Sequence, residues 1–360
     1  MKFKDLTSED IQSFLKSGAI IGLGLENCLV AWGEPKRSAK PSGAEQEFYT
    51  PDFYLEEKKP WVTFKNTFLA KRAQLIQELD RLAVQPKLDL DWHPPQFDEF
   101  KNKFELIKNA IKTKELRKAV PVVFAEATST VTLSMRAAML AHLLKAAQKP
   151  TPYGFWTPDE GVLGATPEVL FSYDAKHAVL ETMALAGTRA SALEAASSLQ
   201  NDPKEMFEHD LVIKGLREKL APLGDLQVSP TYVWDLGMIA HLRTDMSVEI
   251  NGKPSSEKMF SDICSLLHPT AALGVSPNRA DWRFLKKCDG DQDRRRFGAP
   301  FGVLNVTGKS IVMVAIRNIQ WREDHILLGT GCGVVAQSQL QNEWEELEVK
   351  RKSVRALLGI

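Results

Sequence analysis

The sequence is short of several things, and each shortage narrows what the chain can be. Its four cysteines, Cys28, Cys264, Cys288 and Cys332, form no CxxC pair and no Cys/His ligand spacing. That excludes zinc fingers and ribbons and a disulfide framework, and it fits a reducing cytoplasm. Charge of one sign is not in excess, with 46 basic and 46 acidic side chains. No net field therefore gathers nucleic acid or an anionic membrane, and neither is an expected partner. No apolar run reaches the roughly 18 to 20 residues that span a bilayer. The opening MKFKDLTSEDIQSFLKSG is charged and helical in pattern, unlike a basic head followed by an apolar signal core. Repeats, low-complexity tracts and a clear linker are also missing, so the chain reads as one domain over residues 1–360. With 44% apolar and 26% charged residues it can bury a sizeable core.

A short helix opens the chain, and an apolar, strand-like stretch follows from Ala19 to Trp32. Residues 66–83 carry a Lys-, Arg- and Leu-rich helical pattern. Pro86 to Gln96 is the expected surface connection, marked by the prolines at 94 and 95. Helical periodicity returns from Glu99 to Thr113, ahead of the β-rich run KAVPVVFAEATSTVTL. Pro121 within that run has no N–H for a ladder bond, so its strand belongs at an edge or at a bulge. Farther on, GVLGATPEVLFSY and AVLETMALAGT are expected to be extended, and Pro203 to Leu220 helical. Hairpin-like pairs, with turns near Gly308 and at Glu323–Asp324, favour antiparallel meanders over a doubly wound parallel sheet. The expected class is α+β, with large antiparallel sheets packed together and helices on the outside.

Two helices draw notice through their acids. NDPKEMFEHDLVIKGLREKLAPLG begins with Asp202 as N-cap, Pro203 at the first helical position and Glu205 three residues after the cap. At 100° per residue Glu205, Glu208 and His209 share a face. The final helix repeats the device with Glu343, Glu346 and Lys350. Each pattern has a plain explanation, a capping box for Glu205 and a surface i, i+4 ion pair for Glu346 and Lys350. Two Glu-x-x-Glu faces brought together would instead supply hard oxygen ligands of the kind magnesium takes.

Five segments in order carry a more specific signal: GATPEVLF (164–171), LAGTR (185–189), KEMFEHDLV (204–212), LLHPTAALGVSP (266–277) and GCGVVAQSQLQNEWEELEVK (331–350), with AIRN (315–318) besides. Together they resemble the chorismate-utilising enzymes: isochorismate synthases, salicylate synthases, anthranilate synthase large subunits and aminodeoxychorismate synthases. The resemblance covers roughly residues 96–360, the expected catalytic core, and residues 1–95 are less typical. It implies an anthranilate synthase component I-like fold and a site holding chorismate and Mg2+. Glu208 and Glu346 are then the nearest metal ligands, with Glu205 and Glu343 behind them or acting through water.

The same resemblance assigns Arg317 and the backbone of Gly331 to Gly333 to a substrate carboxylate, Ala186, Gly187 and Thr188 to the substrate wall, and Lys350 to the site. His268 is expected near the ring or the leaving C4 hydroxyl, against the alternative of a core histidine. Lys118 stands where the resemblance puts the base that activates water, and Glu168 where it puts the general acid. Such an acid must be held protonated, which an apolar setting favours.

Ala186 replaces the lysine nucleophile of aminodeoxychorismate synthases, and Lys118 replaces the glutamine of the ammonia-using anthranilate enzymes. The implied reaction is chorismate to isochorismate. A salicylate synthase, which goes on to eliminate pyruvate, and a non-catalytic chorismate-binding homologue are the alternatives. The implied setting is menaquinone or siderophore synthesis, in a monomer or weak homodimer. Two departures stand out: Phe297 occupies a position where the family presents a tyrosine, and the strand after Lys118 lacks the usual arginine. Arg294 to Arg296 read as a solvated loop.

Overall fold

A computed structural model describes residues 2–83, 90–190, 198–252, 255–290, 293–306 and 308–360. The apolar alternation of the sequence resolves into two large sheets in which every strand pair is antiparallel. The eight-stranded sheet runs, in spatial order, Asn66–Lys71, Asn27–Trp32, Gly18–Leu23, Thr151–Trp156, Glu160–Thr166, Asn318–Arg322, His325–Gly331 and Val122–Thr128. The ten-stranded sheet runs Gly224–Val228, Ile239–Ile250, Val179–Ala190, Val169–Asp174, Lys309–Val314, Pro300–Val306, Glu47–Tyr49, Trp61–Thr63 and Lys36–Ser38, with Tyr232–Asp235 also paired to Ile239–Ile250. A small third sheet joins Lys118–Ala119 to Val275–Ser276.

Period-2 patterning puts alternate residues on opposite faces. Ala19 and Ile21 meet Phe48, Val62, Phe301 and Met313 of the other sheet, so the sheets pack face to face there. Ile20 points the other way, into a layer with residues of Ser8–Lys16, Arg72–Leu82, Leu133–Ala146 and Leu340–Leu358. The largest core cluster lies under the helices Phe97–Lys112, Pro203–Leu220 and Ser256–Leu267. The expected α+β architecture, antiparallel sheets with outer helices, is what the chain forms. Both hairpin turns are present, and Gly308 sits at φ +87° in one of them. Pro121 interrupts its run between two short strands, and the second of them is the edge of the eight-stranded sheet.

Two expectations are corrected. Residues 66–83 are not one helix, because Asn66–Lys71 is a strand paired with Asn27–Trp32 and the helix covers only Arg72–Leu82. Sheet pairing there overrides local propensity. Arg294 is not in a solvated loop: it is fully buried, pairs with Asp289 at 2.6 Å and donates to the Val120 carbonyl at 2.8 Å. Of the expected connection from Pro86 to Gln96, residues 86–89 lie outside the described residues. Among the described residues, no helix is long and apolar enough to cross a membrane.

Candidate active site

A cavity opens where strand ends of both sheets meet the helices Pro203–Leu220 and Leu340–Leu358. Glu168, Ala186, Gly187, Thr188, Glu208, Arg317, Gly331, Gly333 and Lys350 line it, so residues up to 182 positions apart in sequence share one wall. Lys118 stands behind that wall, fully buried, with Nζ 3.0 Å from Glu208 Oε1. Glu205, Glu343 and Glu346 line an adjoining recess, to which Thr188 also belongs.

Local backbone devices aim these groups. Gly187, at φ +70°, sits in a bulge of its strand, which turns the Thr188 N–H onto Glu205 Oε2 at 2.9 Å. A bulge of this kind re-aims a strand end. The Glu205 carboxylate is therefore engaged across the fold, and the capping-box explanation fails; Asp202 alone caps the helix, accepting from Lys204 N and Glu205 N. Arg317 holds a left-handed φ of +54°, a strained conformation for a residue with a side chain. Gly333 leaves the room in which Lys118 and Glu208 meet, since a Cβ there would fall 2.0 Å from Glu208 Oε1 and 2.6 Å from Lys118 Cε.

The electrostatics divide the two cavity carboxyls. Burial raises the Glu168 pKa to about 7, against the pull of Lys118, Lys350, a Thr270 hydrogen bond and Arg317. Glu168 can thus hold a proton near neutrality. Burial also opposes ionisation of Glu208, but Lys118 and Lys204 outweigh it and keep that carboxyl well below the usual range. Burial lowers the Arg317 pKa to about 10, opposed by Glu168.

Around the recess four carboxylates face three ammonium groups. Lys204 Nζ lies 3.0 Å from Glu205 Oε1, 3.4 Å from Glu208 Oε2 and 3.0 Å from Glu343 Oε1. Lys118 meets Glu208, and half-buried Lys350 reaches Glu346 at 2.7 Å and the Gly331 carbonyl at 2.8 Å. Glu343 is 2% exposed; the Ser338 hydroxyl supports its carboxylate, and among the described residues its Oε2 makes no direct hydrogen bond. Burial and the neighbouring Glu346 raise its pKa to about 7. A buried acceptor without a donor is costly, and a hard cation is one way to satisfy it. As the side chains stand, no three acids, histidines or cysteines among the described residues are arranged to hold a metal ion.

The expected role of His268 is corrected. It lies outside the cavity, bonded through Nε2 to the Phe53 carbonyl at 2.7 Å and packed against the Phe53 and Trp282 rings. Burial holds its pKa down at about 4, as for a neutral core histidine. The histidine that does line the cavity is His241, which sequence reasoning missed. Arg317 Nη2 donates to His241 Nε2 at 2.6 Å, and the other ring nitrogen, Nδ1, lies 2.9 Å from the Gly187 carbonyl. A guanidinium can only donate, so Nε2 is the bare nitrogen and Nδ1 carries the proton. Burial, with Arg317 and Lys350 nearby, keeps this ring neutral. Phe297 forms part of the apolar wall, and none of Arg294 to Arg296 lines the cavity in place of the tyrosine.

Comparison with known proteins decides the family. The model of the chorismate binding enzymes matches residues 36–356. The chain belongs to that family. This chorismate-binding enzyme is similar to an isochorismate synthase of Escherichia coli (strain K12), at 29% identity over 231 residues, 59% of this chain and 56% of the relative. It is 27% identical over 219 residues to an isochorismate synthase of Bacillus subtilis (strain 168), 58% of this chain and 45% of that one. These matches span about half the length of the relatives. Among solved structures, a putative 2,3-dihydroxybenzoate-specific isochorismate synthase from Bacillus anthracis superposes with a TM-score of 0.79 at 19% identity, over 98% of this chain and all of that one. Anthranilate synthase component I from Streptococcus pneumoniae gives 0.68 at 18% identity, over 94% and 80%. These likenesses establish that this chorismate-binding enzyme has the fold of both.

Proposed function

We propose that the protein is an isochorismate synthase, adding water at C2 of chorismate with loss of the C4 hydroxyl. The observation that carries the reading is the buried, protonatable Glu168 in one cavity with Arg317, beside the Lys118–Glu208 pair. The names of its relatives, isochorismate synthases, point the same way.

In this reading Arg317 grips a substrate carboxylate, for which its planar fork is suited, and His241 holds the guanidinium from behind. The backbone at Gly331 and Gly333 closes on the same group, neither residue having a side chain to stand in the way. Lys118 takes a proton from the incoming water, and Glu168 gives one to the departing hydroxyl. One water enters and one leaves, so the net change is isomerisation. Glu205, Glu208, Glu343 and Glu346 would hold Mg2+, and the orphaned Glu343 oxygen supports that assignment. When bound, the ion would neutralise anionic substrate oxygens and fix their orientation. A reducing cytoplasm remains the setting proposed from the cysteine pattern.

The test is to incubate purified protein with chorismate and magnesium chloride and to resolve the products by chromatography. Isochorismate is expected, lost on chelation and reduced at least about 100-fold in Lys118→Ala, as for removal of a general base. Salicylate with pyruvate would reassign the activity to a salicylate synthase. Full activity in Lys118→Ala would remove the proposed base.

A further inference from the structure

We infer that Lys204 is a built-in counter-ion for the carboxylate recess, which an entering divalent cation must displace. The inference rests on reading Glu205, Glu208, Glu343 and Glu346 as that cation's ligands. The Lys204 ammonium touches three of the four, two from its own helix and one from the last helix. It therefore stands where ligands from the two elements converge. Its position is not an accident of a loose backbone, because Lys204 N is tied to the Asp202 cap at 2.9 Å.

An ammonium is a compact point charge that tolerates many geometries, whereas magnesium requires oxygens about 2.0 to 2.1 Å away in near-octahedral array. Lys204 already sits against one oxygen of each of three carboxylates, so an entering cation competes with it for them. Charge gives the same answer. With all groups ionised, four carboxylates against Lys118, Lys204 and Lys350 leave one net negative charge. With Lys204 withdrawn, two remain for a dication. Lys204 also leaves Glu343 Oε2 unpartnered, so the lysine is an incomplete substitute for a cation with more coordination sites.

The side chain has somewhere to go. The recess is lined by Lys204 together with Glu345, a carboxylate toward which the displaced ammonium can turn, whereas Asp202 on the same lining is already held by Arg189 at 2.5 Å. Only side-chain torsions need change, since the cap fixes the helix start. The consequence is a moderated metal site: Lys204 neutralises the acids before the cation arrives and lowers the affinity once it does.

The experiment is isothermal calorimetry with magnesium chloride on wild type, Lys204→Met and Lys204→Gln, with thermal melts across the same titration and each repeated with chorismate present. Both variants are expected to bind magnesium at least about tenfold more tightly than wild type, because a nearby positive charge has been removed. Without added magnesium both should melt below wild type, and magnesium should raise their melting temperatures by more than it raises that of wild type. Equal or weaker binding in the variants would overturn the inference. So would variants that fail to fold even in magnesium, since Lys204 would then support the fold in a way no cation replaces. If no protein binds magnesium, with or without chorismate, the metal-ligand reading itself fails.

Discussion

Replacing Glu168 by glutamine separates what this carboxyl does for the reaction from what it costs the fold. The side chain is 3% exposed, and burial lifts its pKa from 4.5 to about 7 despite Lys118 and Lys350. Between those two values the folded chain keeps a proton that the unfolded chain has lost. Stability therefore falls as pH rises through the window and levels off above it. At roughly 1.4 kcal/mol per pH unit, the ionised carboxylate costs the fold about 3 kcal/mol above neutrality. Glutamine has nearly the same shape and never ionises, so it escapes this penalty. Urea unfolding of both proteins at about pH 5 and about pH 8 reads the difference. The variant should gain about 2 to 3 kcal/mol on wild type between the two conditions. Its rate of isochorismate formation should fall by about 10²- to 10⁴-fold, the usual contribution of a general acid. In wild type the rate should decline as pH rises through about 7, where Glu168 loses its proton. Parallel stability curves for the two proteins, or an active glutamine variant, would refute the assignment of Glu168 as a buried acid.

Gly333→Ala tests the packing of the site, because its Cβ would overlap Glu208 Oε1 and press on Lys118 Cε. Turnover should drop by about 100-fold or more, as for displacement of a catalytic group by about 1 Å, and circular dichroism should show the fold retained. Near-normal turnover would mean that the Lys118–Glu208 arrangement is not needed. His268→Leu tests the structural role of this buried ring. It removes the bond to the buried Phe53 carbonyl and should cost about 1 to 3 kcal/mol of stability while leaving kcat per folded molecule unchanged. A selective loss of kcat would put His268 back in the chemistry.

Much of this protein is written locally. Asp202 and Pro203 announce the start of their helix, and the spacing of Glu205 and Glu208 puts both on its buried face because the helical repeat requires it. Pro121 marks the break at a sheet edge, since it has no N–H to donate. The five ordered segments point to the family, and Glu168, Arg317 and Gly331 to Gly333 do meet in one cavity.

What the sequence could not decide depends on contacts between distant residues. His268 and His241 are both buried histidines flanked by apolar residues, and nothing adjacent tells which faces the cavity. His241 does so because Ile239–Ile250 pairs with Val179–Ala190 across a bulge at Gly187, a register set by the whole sheet. Asn66–Lys71 has a helical look, but a partner strand some forty residues earlier supplies its hydrogen bonds. Arg294 reads as a surface residue until Asp289 and the Val120 carbonyl close around it. Lys204 reads as an ordinary first-turn lysine, and only the approach of Glu343 from the last helix makes it the hub of a charged cluster. Helix starts and faces follow from bonds within a few residues, whereas the pairing of charges and the aim of a buried ring follow from which elements the packed core brings together.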